Sequence, residues 1–260
     1  MLDKVPIVRI YKDGRGTPKR MEDTVVAEYA LTIRLDDKDL VTLLCSPEKL
    51  EYLAVGFLFS EGIIKGKEDI KEIVLDENKG AIGIATAEPG KTAKDTASQR
   101  LIGSSGGRGI SSFDLDHNIV ESQRTITPAE IFDLIEELVH RSEVFEATGG
   151  VHSAALCDTR RILVFSEDIG RHNAIDKVFG ECVLTGISTD EHIVVTSGRV
   201  SSEIVHKAVK SNIPILISKS APTNRGVELA ADLGITLVGF VREGRMNLYT
   251  HTGRIVTDGS

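Results

Sequence analysis

Cysteine is scarce in this chain. Cys45, Cys157 and Cys182 are the whole supply, and no two of them form a Cys-x-x-Cys pair. Each lies in an apolar or periodic stretch and reads as a reduced, small core residue. Without close Cys/His pairs no metal site is expected. Long apolar runs are missing too. Nothing approaches the roughly 20 residues that a membrane-spanning helix needs. The opening Met1-Leu2-Asp3-Lys4-Val5-Pro6 lacks the apolar segment of a signal peptide, so a soluble, cytoplasmic protein is expected. Nor is there an excess of positive charge. With 31 Lys and Arg against 39 Asp and Glu, the net charge is -8 and the pI near 5.4. General binding to nucleic acid or anionic membranes is therefore not expected, although local basic pockets are allowed. Two enzymatic signatures are also absent. One is the His-x-Glu plus Pro-Cys-x-x-Cys set of zinc deaminases. The other is the Gly-x-Ser-x-Gly nucleophile elbow.

What is present suffices for a full core: 260 residues, 41% of them hydrophobic, in one large domain or two small ones. The first third reads as β-rich. Val25 to Leu35 and Leu40 to Cys45 are expected strands around the polar turn Asp36-Asp37-Lys38-Asp39. Ser46-Pro47-Glu48 is expected to open a helix through Leu50, Leu53, Ala54, Phe57 and Leu58, with Ser46 as its cap. Ile70 to Leu75 and Ala81 to Ala85 read as two further strands, and residues 86–112 as a loop or linker. The expected domains are 1–112, β-rich and ending in that Gly/Ser-rich loop, and 113–260, an α/β unit. The second part opens with Thr127-Pro128-Ala129-Glu130, a capping box ahead of a helix carrying Ile131, Leu134, Ile135, Leu138 and Val139. Strands then alternate with helices. Val151–Leu156 and Ile162–Phe165 are expected strands, followed by a helix near 172–182. The strand Ile193–Thr196 precedes a helix near 201–211. Ile215–Ser218 precedes a helix near 222–233, and Ile235–Val241 is the last strand. Unbroken Val/Ile/Leu strands imply a sheet covered by helices on both faces.

The polar residues gather where these strands end. Asp168, Arg171, His172, Asn173 and Asp176 follow the apolar run Ile162 to Phe165 and sit at a strand-to-helix turn. Helix N–H groups attract anions at such a turn. Ser197, Gly198, Arg199, Ser201 and Glu203 follow the next strand, Ser218 and Lys219 the one after, and Arg242, Glu243, Gly244 and Arg245 the last. In open α/β sheets the ligand lies beyond such strand ends. Arg171, Arg199, Lys219, Arg242 and Arg245 are expected to converge there on an anionic cofactor, because arginine suits phosphate. Hydroxyls of Ser197, Ser201 and Ser218 are candidates for phosphate oxygens. Asp168, Glu203 and Glu243 are candidates to accept N–H groups of a purine or pterin ring. Plainer readings stand beside these. His152 at the head of its strand reads equally as a core histidine. Asp168, Arg171, His172 and Asp176 have the spacing of a capping and salt-bridge network. Lys177 reads as a solvated helix residue and His206 as structural. Arg242 and Arg245 read as surface charges, and the glycine-rich stretch 103–109 as a plain linker.

Four segments resemble the FdhD/NarQ family of formate dehydrogenase accessory proteins. They are Thr148-Gly149-Gly150-Val151-His152-Ser153-Ala154-Ala155, the stretch Glu167 to Lys177, Thr196-Ser197-Gly198-Arg199, and Gly239-Phe240-Val241-Arg242 onward to Tyr249. Val55 to Ile64 is a weaker fifth. The resemblance implies a three-layer α/β/α, cytidine-deaminase-like C-terminal domain with a smaller β-rich α+β N-terminal domain. It implies a sulfurtransferase-type protein that passes sulfur from a cysteine desulfurase to the molybdenum cofactor of formate dehydrogenase. That cofactor is the bis(molybdopterin guanine dinucleotide) form, for which GDP or GTP is a surrogate. By position, the family's cofactor-binding segment falls on Phe240, Val241, Arg242, Glu243, Gly244 and Arg245. The sequence departs at one place. The family's persulfide loop reads Cys-Gly-x-Cys-Gly, and the matching stretch here is Ser105-Gly106-Gly107-Arg108-Gly109. A hydroxyl cannot hold a persulfide sulfur. The alternative is a non-catalytic chaperone for the cofactor or a guanine nucleotide. A homodimer is a further expectation.

Overall fold

The computed structural model describes residues 1–12, 18–88, 100–102 and 119–257. Alternation of apolar and polar residues builds the first sheet. In β3 (Tyr29–Leu35), Leu31, Ile33 and Leu35 face inward, and in β4 (Lys38–Cys45), Val41, Leu43 and Cys45 do the same. Asp36 and Asp37 both take positive φ (46° and 65°), the primed turn that matches the twist of a two-residue hairpin. β5 (Ile70–Asp76), β6 (Ala81–Thr86) and β7 (Arg100–Ile102) complete the order β5-β6-β3-β4-β7. β7 runs parallel to β4 from within the stretch expected to be linker. Within that stretch, residues 89–99 and 103–112, Ser105 included, lie outside the described residues.

β1 (Leu2–Arg9) and β2 (Lys19–Val26) form a separate antiparallel hairpin. The single strand expected over Val25 to Leu35 is thus two strands in two sheets, parted at Ala27-Glu28. A strong β run carries no mark of the corner within it. α1 (Leu50–Ser60) is buried on several sides, because it lies between the first sheet and α4 (Arg171–Thr185). A Cβ on Gly56 would overlap the carbonyl oxygen of Asp176, and one on Gly180 would overlap that of Tyr52. Only glycine lets these two backbones approach so closely. Ser46 does not cap α1. Lys49 takes the N-cap position in a left-handed conformation (φ 54°), and Ser46 turns to other partners, described below.

The second sheet has the order β13-β12-β11-β10-β8-β9. It is made of β8 (His152–Cys157), β9 (Ile162–Asp168), β10 (Ile193–Thr196), β11 (Ile215–Ser218), β12 (Thr236–Arg242) and β13 (Arg245–Thr250). Its two faces are buried by different helices. Ala154, Leu156, Val194, Leu216 and Leu237 pack with α4, α5 (Ser202–Lys210) and α6 (Asn224–Asp232). Ala155, Cys157, Val195, Ile217 and Val238 pack under α2 (Pro128–His140). The arrangement is a three-layer α/β/α sandwich. Thr127 and Glu130 close the capping box of α2. In this part of the chain the short α3 (Glu143–Thr148) and β13 were not foreseen. Glu243 and Gly244, both at positive φ, turn β12 into β13. No described helix is long and apolar enough to cross a membrane.

Candidate functional site

The turn from β9 into α4 is built on a buried carboxylate. Asp168 is fully enclosed. It accepts hydrogen bonds from Gly170 N (2.8 Å) and Asn173 Nδ2 (2.8 Å) through one oxygen. Its other oxygen takes Ser46 N (3.0 Å) and Lys177 Nζ (2.7 Å). Lys177 is fully buried rather than solvated, and its ammonium also reaches the carbonyls of Ser46 and Glu167. Ser46 Oγ in turn accepts from Ile169 N (3.1 Å), and Asn173 Nδ2 donates to Leu44 O (2.9 Å). The end of β4 is therefore stitched to the start of α4. One turn further along, Asp176 binds Lys207 Nζ (2.6 and 2.8 Å) and Ser60 Oγ (2.6 Å). Asp168, Asn173, Asp176 and Lys177 hold the scaffold, with their hydrogen-bonding capacity used inside the chain.

The first residues of α4 behave differently. Its N-terminal turn carries no acidic residue and no side-chain cap, and the positive end of its dipole meets cations instead of the usual carboxylate. Among the described residues, Arg171 Nε is buried without a hydrogen-bond partner, as are His172 Nδ1 and, at the N-cap of α5, Ser201 Oγ. Burial and the neighbouring Arg199 charge push the Arg171 guanidinium below its ordinary pKa, with Glu203 opposing. Burial also lowers His172, helped by Lys207 and Arg171, although His172 Nε2 stands 3.0 Å from Glu203 Oε2. His152 is lowered by burial and by Arg171, Arg199 and His172. These shifts report one field of positive charge at the junction of β8, α4 and the β10–α5 turn. Gly198 lets the Arg171 side chain lie against that turn, since a Cβ there would collide with Arg171 Cβ.

His152 and Ser197 join this corner to a cleft of about 380 Å³, within the usual range for a small-ligand site. Lys219, Ser220 and Arg242 line its polar side. The rest of its wall is largely apolar: Leu138 and Val139 at the end of α2, Phe145 of α3, Val151 and Ile169. Sequence reading missed that wall. Its only local trace is Ser142, which holds the N-cap position of α3 yet makes no cap hydrogen bond.

The candidates thus separate by environment. His152, Ser197, Lys219 and Arg242 line the cleft, while Arg171, His172 and Arg199 form the adjoining cationic corner. Ser218 is buried, giving its hydroxyl to Gly198 O (2.7 Å) and accepting from Ser220 N. Val241 faces the core beneath α2. Phe240 occupies the irregular step of β12 with positive φ and packs against the Arg242 guanidinium (5.3 Å). Glu243, Gly244 and Arg245 stand exposed at the hairpin tip, Arg245 some 4.0 Å from Glu243. Of the three carboxylates expected to accept ring N–H groups, Asp168 is saturated, Glu203 lies against His172, and Glu243 is on that tip.

The profile of the FdhD/NarQ family matches residues 26–256. The chain belongs to the FdhD/NarQ family. It is 42% identical to the sulfur carrier protein FdhD of Bacillus subtilis, over 98% of this chain and 99% of that one. It is 40% identical to the protein of the same name from Staphylococcus aureus, over 96% and 95%. Its fold matches a crystal structure from Desulfotalea psychrophila described as a formate dehydrogenase accessory protein. That match has a TM-score of 0.79 and 30% identity, and covers 98% and 99% of the two chains. Against this FdhD/NarQ background the thiols stand out. Cys45, Cys157 and Cys182 are all buried. Burial pushes Cys45 and Cys182 up to about 12 and raises Cys157 further. Among the described residues no group of three or more His, Cys, Asp or Glu could hold a metal ion.

Proposed function

We propose that this protein serves formate dehydrogenase maturation by holding the molybdenum cofactor in its guanine dinucleotide form. The cofactor is cargo here, bound with its phosphates against Arg171, Arg199 and His152 and continuing along Lys219 and Arg242 into the cleft. The observation that carries this reading is a pair of buried donors with no partner among the described residues, Arg171 Nε and Ser201 Oγ, beside two helix N-termini. Buried polar groups are normally satisfied, and oxygens of an anion would satisfy these. Calorimetric titration with GDP, with AMP as control, tests it. Selective binding of GDP is the expected result. Absence of binding to either nucleotide removes the assignment.

The finer part of the reading is sulfur transfer from a cysteine desulfurase; the relatives are named sulfur carrier proteins. A thiolate is the group that accepts the sulfur. Each thiol of this chain is buried and held protonated, so loading requires a local opening of the fold. Cys45, beside the Asp168–Lys177 pair, is the thiol that senses the site. Incubation with a desulfurase and cysteine, followed by intact mass measurement, reads the step directly. A gain of one sulfur atom, lost in Cys45→Ser, supports the carrier role on this residue. No gain confines the chain to cofactor handling.

A further inference from the structure

Beside the apolar residues of the cleft lies a chain of polar groups that the phosphate reading does not use. Ser142 and Ser153 both line the cleft and are almost completely buried. Their hydroxyls are hydrogen bonded to each other, and Ser142 is also hydrogen bonded to Glu167 Oε1. β8 and β9 pair Ser153 directly with Glu167, and the turn between α2 and α3 brings Ser142 down onto both. The side chain that might have capped α3 is drawn to this carboxylate instead.

The direction of the protons follows from the chemistry of the three groups. An ionised carboxylate only accepts, so Ser142 gives its single hydroxyl proton to Glu167. Ser142 then has no proton left for Ser153, and Ser153 must be the donor between them. Both hydroxyl protons are therefore directed toward Glu167, and what remains for a ligand is oxygen lone pairs. The same surface offers an apolar wall. Val139 and Phe145 keep 37% and 45% of their surface exposed beside the serines, apolar area suited to the face of a flat ring.

We propose that Ser142 and Ser153, oriented by Glu167, recognise the adjacent N–H donors on the edge of a guanine-type ring lying against Phe145 and Val139. This rests on the reading that a guanine nucleotide occupies the cleft, and it names the groups that select the base. Guanine offers an N1–H and a 2-amino group. Hypoxanthine lacks the amino group, and adenine presents an acceptor at N1. An acceptor-only floor favours guanine over both, and a carboxylate behind the serines strengthens the bonds they accept.

The experiment is calorimetric titration of the full chain with GDP, IDP and pyrophosphate, repeated with GDP and IDP for Ser142→Ala and Glu167→Gln. The unmodified protein is expected to prefer GDP over IDP by about tenfold or more, the usual weight of a hydrogen bond to a charge-assisted group. Ser142→Ala is expected to bring the ratio close to one. Glu167→Gln presents an amide that can donate, frees the Ser142 proton, and lowers the ratio as well. Its near-identical size keeps the test open should the alanine variant not fold. Equal binding of GDP and IDP by the unmodified protein overturns the proposal, as does a preference that survives both substitutions. Pyrophosphate bound as tightly as GDP overturns the ring site alone and leaves the phosphate reading standing. No binding of pyrophosphate or either nucleotide overturns both.

Discussion

The two halves of helix α4 carry similar residue types and put them to opposite use. Asp176 and Lys177 lie in its middle, fully buried, and each is matched to a charge of opposite sign. Arg171 and His172 lie at its start, where Arg171 Nε and His172 Nδ1 are buried with no partner among the described residues and the Arg171 and Arg199 charges crowd together. A sequence pattern cannot separate these cases, because Asp-x-x-Arg-His-Asn-x-x-Asp-Lys reads equally as a salt-bridge network or a ligand site. Satisfaction of hydrogen bonds separates them. The saturated groups fix where the helix sits, and the unsaturated ones belong to the binding corner proposed above.

Removing a partner from the saturated half should have the largest effect. Lys177→Met leaves Asp168 as an uncompensated buried charge and should lower the unfolding free energy by about 3–5 kcal/mol. Urea denaturation reads this, and a loss below about 1 kcal/mol would mean that the pair is not a structural unit. Arg171→Ala should show the reverse signature. Nucleotide affinity should fall by roughly 1.5–3 kcal/mol, while stability shifts by less than about 1 kcal/mol. If stability collapses and affinity of the surviving fold does not change, the contrast between the halves is lost.

Acidity sharpens the same comparison. His152 and His172 have folded pKa values below the ordinary histidine value, so near that value the unfolded chain binds more protons than the folded one. Their contribution to stability is complete above about pH 6.5 and is lost as the pH falls through that value toward the folded pKa. Melting temperature should decline over that interval, and His172→Gln should flatten the slope. An equal slope in the variant would show that His172 is not held neutral by the fold. The smallest effect belongs to Arg245→Ala. An exposed arginine on a hairpin tip, 4.0 Å from Glu243, should cost nucleotide affinity no more than about 0.5 kcal/mol. A loss as large as that of Arg171 would extend the site out to the tip.

Much of the second sheet was legible in the sequence, because its central strands are short apolar runs closed by turn residues and its helices carry regular spacing. The capping box at Thr127 marked the start of α2 without any tertiary information. The failures share a cause. β1 and β2 bury little surface, so they show no strong pattern. Ser46 and Lys177 were misread because their partners, Asp168 and Ile169 in one case and Asp168 in the other, lie far along the chain or beneath it. At the site, the polar strand ends were visible, since ligand-facing polar clusters interrupt apolar runs. The apolar wall was not. Val139 and Phe145 look like ordinary helix residues until the fold brings them to the same cleft as His152.

Gly56 and Gly180 do not line the cleft, yet neither position has room for a single extra carbon. A survey of random variants scored for loss of activity would mark both as intolerant, beside Arg171 and His152. Intolerance at the helix crossing would arise from lost protein, and intolerance in the cleft from intact protein that no longer binds. Abundance must therefore be measured along with activity before any position in this family is called a contact.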